Sequence, residues 1–447
     1  MTYREALGFL DSLVDYEKQA KQRTAFKLDN IRRLLGQAGK PQQRLDNVVL
    51  VAGTKGKGSV CHMVESGLRA SGIRTGMFLS PHVNTVRERI QLDGRLVSKA
   101  VFSRSLERLA PLVWSRSGQG HGVRRSRGHC GQVSYFEFTT AMAFELFARS
   151  RPDYSVVEVG LGGRLDATNL SEPAVSVITR IGLDHLGVLG NTVRKIAREK
   201  SGIMRAGRPV VVGQQVPAAA AELRRRAREA GASLVPVQER TRVWNVGFSS
   251  SGVDFSVLSE MGAGRISLPL WGRHQVENCS TALAVLGLLA RTDSRIRFDR
   301  VAAGLAEVAV PARCQVVRHE PPVIVDSCHN PDSGRALADA IASHLGRKVV
   351  LVYGSLLGKL VSRTIAPLAP WVDRAVLVSP DSPRAEAPEK LRRAFSRIGV
   401  PCIVAGSVKN GLDVALQLSG REIPVVVAGS FYVAGEALAC LHAARGD

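Results

Sequence analysis

Aromatic residues are scarce, at 5% of 447, and they do not interleave with the arginine clusters, so the base-stacking platforms of nucleic-acid binders are not indicated. Long apolar runs are missing as well. CSTALAVLGLLA is too short to span a bilayer, and MTYREALGFLDSLVDYEKQ carries charge throughout what would have to be a signal core. The expectation is a cytoplasmic protein that meets no membrane. No C-x-x-C pair occurs among the seven cysteines (Cys61, Cys130, Cys279, Cys314, Cys328, Cys402, Cys440), which argues against zinc or a dithiol couple and for reduced, mostly buried thiols. Acidic residues are few, 39 against 61 Lys and Arg, and the net charge of +22 suits an anionic partner without naming one. The densest basic patch, SRSGQGHGVRRSRGHCGQ at 115–132, has no apolar period; it reads as a solvated surface insertion or as an anion-steering loop.

What is present has a rhythm. Short β-branched runs alternate with amphipathic segments: NVVLVA then VCHMVESGLRAS, YSVVEVG, AVSVITRIG then TVRKIAREKSGI, RPVVVG then AAAAELRRRAREAG. Strand, turn and helix in this order predict a mostly parallel, helix-covered α/β sheet. From Thr241 to Leu270 the alternation of apolar and polar residues predicts a small antiparallel meander, and QVENCSTALAVLGLLAR a buried helix. After PARCQ the rhythm restarts, which predicts a smaller Rossmann-like C-terminal α/β domain. The chain is longer than one core usually serves, and the boundary is expected near Ala309: residues 1–309 as a first domain and 310–447 as a second, with a ligand cleft between them.

The stretch VAGTKGKGSV opens that cleft chemically. Gly53, Gly56 and Gly58 let backbone amides curl into an anion nest at a helix start, and phosphate is the natural guest. Lys57, with Thr54 and Lys55 around it, reaches phosphate as a point charge, while Ser59 offers a hydroxyl to Mg²⁺. The spacing is not the common P-loop one, and a lone Gly-rich turn is often structural; strand, G-T-x-G-K-G-S and helix in register favour nucleotide. A metal shared with triphosphate needs hard ligands. Glu158, ending the apolar run YSVVEVG, fits, although a Glu there could be an edge-strand residue. His185 in GLDHLG leaves an apolar run at a presumed strand end, where an isolated His is more often structural. Asp326 and His329 in PVIVDSCHNPDS sit at a strand-to-helix turn capped by Asn330, a turn that would exist without either role.

In collinear order, VAGTKGKGSV, SPHVNTVRERI, SYFEFTTAMAF, VVEVGLGGRLDATN, ITRIGLDHLGVLGNTVRKIAREKSGIMR, GRHQVENCSTALA, PARCQ, DSCHNP and AGSFY resemble the Mur-ligase superfamily, and within it folylpolyglutamate synthase and the bifunctional dihydrofolate synthase/folylpolyglutamate synthase. The resemblance covers nearly the whole chain. It implies an ATP-dependent amide ligase that adds L-glutamate to a folate, to dihydropteroate, or to both, through an acyl phosphate. It further implies that ATP is held by Gly53 to Ser59 with Asn278, Arg313, Asp326 and His329. Lys57, Lys200 and His329 would be catalytic, and Ser59, Glu158, His185 and a carbamylated Lys200 would hold Mg²⁺, with a monovalent cation such as K⁺ alongside. Ser80, His82, Glu137, Asp166 and Ala167 are the substrate candidates. The expected partners are small molecules, with no nucleic acid, and the expected state is a monomer. SYFEFTT looks like the bacterial bifunctional members and Lys55 like the eukaryotic polyglutamylating type.

The pattern also departs from the family: Ser327 and Cys328 stand in the D-G-A-H-N-P turn, Ala312 in the P-G-R turn, and Gly358 where an acid usually precedes Lys359. Two other readings remain at this stage. One is a basic P-loop NTPase associated with nucleic acid; the other is a non-catalytic folate or nucleotide binder, suggested by Gly358.

Overall fold

The computed structural model describes residues 1–15, 27–113, 133–183, 186–420 and 422–443. Cys130, His185 and the Arg-rich stretch 115–132 lie outside these residues.

Eight strands build the first sheet: β1 (Val48–Ala52), β2 (Thr75–Phe78), β3 (Ile90–Leu92), β4 (Arg95–Leu96), β5 (Tyr154–Glu158), β6 (Pro173–Ile178), β7 (Pro209–Val212) and β8 (Ser233–Pro236), in spatial order β4-β3-β2-β5-β1-β6-β7-β8. From β2 to β8 all pairings are parallel; β3 and β4 add an antiparallel edge. Strand β1 is buried along its whole length, as a VVLVA run flanked by parallel neighbours must be. Helices cover both faces, giving two apolar cores separated by the sheet. β1 leads directly into the helix Lys57–Ala70, so the C-terminal ends of β1, β5 and β6 open on one spot.

The meander is observed as β9 (Arg242–Ser249), β10 (Gly252–Ser259) and β11 (Gly262–Leu268), antiparallel throughout. The buried helix Arg273–Ala290 follows it. The second large sheet comprises β12 (Gln315–His319), β13 (Pro322–Val325), β14 (Val349–Tyr353), β15 (Val372–Ser379), β16 (Cys402–Ser407) and β17 (Val425–Ala428), in order β12-β13-β17-β14-β15-β16. Only β12 runs antiparallel.

His344 is one of the contacts that tie the two halves together. His344, at the end of the helix Pro331–His344, stacks on Trp271 with ring centroids 4.7 Å apart and planes within 2°. Its Nε2 accepts the Gly272 N–H at 2.9 Å, and its Nδ1 lies 2.6 Å from the Ser249 carbonyl. A carbonyl only accepts, so Nδ1 carries the proton and the ring must stay neutral to make both bonds. The other end of the same helix opens on the cleft.

Candidate active site

The loop from Gly53 to Gly56 is shaped by close approach. Gly53 (φ +153) has Thr179 where a Cβ would stand, and Gly56 (φ +85) has the Asn278 side chain there. Both glycines therefore admit neighbours that any side chain would displace. The amides of Thr54 and Lys55 bond to the Arg180 carbonyl at 3.0 and 3.1 Å, and Thr179 Oγ1 donates to the Lys55 carbonyl at 2.7 Å. This corrects the extent of the expected nest: two of its amides are used to pin the loop to the end of β6. What remains for an anion is the first turn of the helix, Lys57, Gly58 and Ser59 with Gly56 at its cap, whose amides have no preceding carbonyl to bond.

Glu158 lies beneath that turn. It is 5% exposed; its Oε2 accepts the Ser80 amide at 3.0 Å and its Oε1 stands 3.9 Å from Lys57 Nζ. Burial raises its carboxyl above the usual value, against the pull of Lys57. The Gly58 backbone passes close to the carboxylate: a Cβ there would lie 3.7 Å from Glu158 Oε2, an ordinary contact. Ser59, also buried, follows on the same turn. Among the described residues no three His, Cys, Asp or Glu side chains gather as a metal set. One buried carboxylate and one hydroxyl beside an anion nest nevertheless fit Mg²⁺, which takes few protein ligands and completes its shell with phosphate and water.

Lys200 stands behind the loop. It is 4% exposed, and its Nζ donates to the Gly53 carbonyl at 2.7 Å.

The opposite wall comes from the second domain. Arg313 touches Ser327 Oγ and lies over the Phe431 ring at 4.9 Å, and the His329 ring is 6.0 Å from the same phenyl. Phe431 of AGSFY thus seats both groups. His329 Nδ1 faces the Ser327 carbonyl at 2.9 Å, so the proton sits there and Nε2 is an acceptor. Burial first, and the Lys359, Lys55 and Arg313 charges beyond it, lower this imidazole to about 4, so it is neutral at ordinary pH. Asp326 uses both oxygens on backbone: Oδ2 accepts the Cys314 amide and Oδ1 the Cys328 amide, each at 2.8 Å. It thereby locks the PARC turn to the SCHN turn. Ala312, in the position of the family glycine, is left-handed at φ +54.

One cleft of about 1860 Å³ joins these walls. Its lining includes Thr54 to Ser59, Glu158, Asn278, Arg313, Asp326 and His329, and also all five substrate candidates, Ser80, His82, Glu137, Asp166 and Ala167. Gly53 and Lys200 buttress it from behind. Two of the five carry clear structural duties. Asp166 accepts the Leu161 amide at 2.8 Å and the Thr168 amide at 3.0 Å, and Glu137 forms a capping box with Ser134. Sequence reasoning passed over Arg89, 1% exposed, which donates to His82 Nδ1 at 2.9 Å and lies 5.1 Å from the Tyr135 ring. It also passed over Arg180 and Arg384, which line the cleft. Arg89 stands inside SPHVNTVRERI, where the only signal would have been a basic residue one position from an apolar strand. Lys359 lines the cleft even though Gly358 precedes it.

Known proteins are similar to this chain in sequence and fold. The Mur ligase middle domain matches residues 133–286, and the glutamate ligase domain of Mur ligases matches residues 312–431. A dihydrofolate synthase/folylpolyglutamate synthase of Mycobacterium tuberculosis is 36% identical over 406 residues, covering 88% of this chain and 82% of that protein. The chain belongs to the folylpolyglutamate synthase/dihydrofolate synthase family of Mur ligases. It spans about half (51%) of a probable bifunctional folylpolyglutamate synthase/dihydropteroate synthase of Halobacterium salinarum, at 34% identity over 98% of this chain. In three dimensions, M. tuberculosis folylpolyglutamate synthase complexed with ADP superposes with a TM-score of 0.84 at 33% identity, over 98% of both chains. The Escherichia coli FolC structure in complex with DHPP and ADP does so with a TM-score of 0.83 at 28% identity, over 100% of this chain and 99% of that one. The mostly parallel two-domain α/β fold expected from the sequence is therefore the fold of the family. No helix among the described residues is long and apolar enough to cross a membrane.

Proposed function

We propose that this protein is an ATP-dependent amide ligase that joins L-glutamate to the carboxylate of a folate, of dihydropteroate, or of both. The observation that carries the reading is the pairing of walls across one cleft: a helix N-terminus bearing Lys57 and Ser59 over the buried Glu158 faces Arg313 and a neutral His329. The bound molecules of the related structures, ADP in one and DHPP with ADP in the other, support the same assignment.

The chemistry follows from charge. An acceptor carboxylate oxygen attacks the terminal phosphorus of ATP and ADP leaves; the glutamate amine then attacks the acyl carbon, phosphate departs, and the amine loses a proton. Two anions must approach in the first step, so cations that cancel repulsion and developing charge do most of the work. Lys57 and the helix start hold phosphate from one side and Arg313 from the other. Mg²⁺, held by Ser59 and Glu158 with His185 beyond the described residues, would supply further charge. Lys200, pinned to Gly53, fixes the loop; its carbamylation belongs to the same proposal. Burial keeps His329 Nε2 unprotonated, suited to accept a hydrogen bond in the cleft. Lys359 in the lining favours a working enzyme over an inert binder despite Gly358.

The substrates act as small molecules on a monomer inside the cytoplasm in this account. The test is ADP release by purified protein supplied with ATP, Mg²⁺, glutamate and a folate or pteroate acid. Release only with both acceptor and glutamate, and none with Lys57→Ala, is expected; release independent of either would overturn the ligase assignment.

A further inference from the structure

The seam between the two halves is held in part by a ring that can take a charge. His344 ends the helix Pro331–His344, and its seat belongs to the first half of the chain: Trp271 stacks on it and Phe248 meets it edge-on, with centroids 5.2 Å apart and planes at 77°. The seat is itself pinned. Trp271 is fully buried, and its Nε1 donates to the Ser250 carbonyl at 3.0 Å. Both nitrogens of the ring are spent on backbone of that half, Nε2 accepting from Gly272 and Nδ1 donating to Ser249. A protonated imidazole carries a donor at each nitrogen, so Nε2 would then face the Gly272 N–H donor to donor. The Ser249 bond survives that change, but a buried amide loses its acceptor and a buried charge gains no partner, and both are costly.

The helix that ends at this seam begins at the cleft. Asp332, Ser333 and Arg335 in its first turns line the cleft directly after His329 and Asn330, and 14 residues at 1.5 Å each put that end about 20 Å from His344. We infer that His344 is a positioning residue that works as an acid-sensitive latch: neutral, it holds this helix, and with it the His329 wall, against the first half; protonated, it lets that wall swing away. It acts through the helix and does not line the cleft, so the inference holds whatever the cleft binds. Charged and titratable side chains on the elements around the ring are Arg273 and His274 just after Gly272, Asp339 on its own helix, Arg347 and Lys348 beyond it, and Arg363 on the helix Val361–Ile365 packed alongside. Burial holds the ring below its ordinary value, against the pull of the Ser249 carbonyl. The tie is therefore complete above about pH 6.5 and is lost as pH falls through the lower folded value.

The experiment compares wild type, His344→Gln and His344→Phe at about pH 7.5 and about pH 5, where His62 and His329, held near 4, remain neutral. Small-angle X-ray scattering reads the disposition of the halves, and amide hydrogen exchange at Gly272, corrected for its intrinsic pH dependence, reads the bond. Gln carries an oxygen that accepts from Gly272 at either pH; Phe keeps the stack and removes both bonds. Wild type is expected to expand on acidification while Gly272 loses about tenfold or more in protection. The Gln variant stays compact and protected at both pH values, and the Phe variant is expanded and unprotected already at the higher one. Wild type unchanged between the two would overturn the inference. So would acid expansion of the Gln variant as large as that of wild type, which would hand the response to another group such as His274. Loss of Gly272 protection without expansion would overturn it too, since the ring would then titrate without moving the wall. Should the Phe variant fail to fold, wild type against Gln still decides.

Discussion

Replacing Glu158 by Gln tests the proposed Mg²⁺ site separately from the fold. The carboxylate is buried, accepts the Ser80 amide at 3.0 Å, and stands 3.9 Å from Lys57 Nζ. At an effective dielectric of about 20, that separation is worth about 4 kcal/mol of attraction. Desolvation opposes it: the carboxyl is raised above its usual value, with burial the largest cause, so the net stabilisation by the ion pair is much smaller. The amide oxygen of Gln still accepts from Ser80, and it needs no desolvation of charge. Stability of Glu158→Gln should therefore lie within about 1 kcal/mol of wild type, the range of one neutral hydrogen bond. The loss should appear in metal coupling. A hard divalent cation that loses its one buried carboxylate loses most of its protein attachment, so the factor by which Mg²⁺ tightens ADP binding should fall by about tenfold or more, equivalent to about 1.4 kcal/mol. The assay is ADP titration with and without Mg²⁺, beside denaturant unfolding. An unchanged Mg²⁺ factor would refute the placement of the metal at Glu158.

Other substitutions probe the loops. Gly56→Ala puts a methyl group into the Asn278 side chain at φ +85; ADP affinity should drop by at least about tenfold with the fold retained, and wild-type affinity would show that the close approach is not needed. Ala312→Gly relieves a left-handed alanine at φ +54, a conformation that costs about 1–2 kcal/mol. Glycine's greater unfolded freedom offsets part of the relief, by about 0.4–1 kcal/mol, so stability should be unchanged or rise by up to about 1.6 kcal/mol. A loss of stability would contradict the strain. The pH profile has a definite sign. His62, His274, His329 and His344 are all held below the ordinary imidazole value, burial being the first cause in each, with His62 and His329 near 4. A depressed folded value stabilises above the unfolded value of about 6.5 and is lost as pH falls towards the folded one. Unfolding free energy should decline as pH drops from about 6.5 towards 4, and a flat profile would remove these groups from the account.

Much of this was legible in the chain. The parallel sheet could be read because NVVLVA, YSVVEVG and RPVVVG are uniformly apolar, as strands covered on both faces must be, and the meander because its alternation switches to a period of two. The strand–turn–helix proposed to hold phosphate could be read because strand, glycines and helix stand in sequence. What could not be read depended on partners distant in the chain. Nothing local to AGTKG says that Thr54 and Lys55 amides will be taken by Arg180, and nothing in DSCHNP says that Asp326 will be spent on the amides of Cys314 and Cys328. Phe431 under Arg313 and Arg89 over Tyr135 are of the same kind. Each is a pairing across elements that only the fold brings about.

The central claim is glutamate ligation, and the most direct measurement is ATP-dependent incorporation of labelled glutamate into dihydropteroate and, in parallel, into a reduced folate monoglutamate, with Mg²⁺ and K⁺ supplied. The account predicts acid-stable label in at least one acceptor, with one ADP formed per glutamate joined, and in both acceptors if the enzyme is bifunctional. ATP bound by the protein but no label transferred to either acceptor would contradict it.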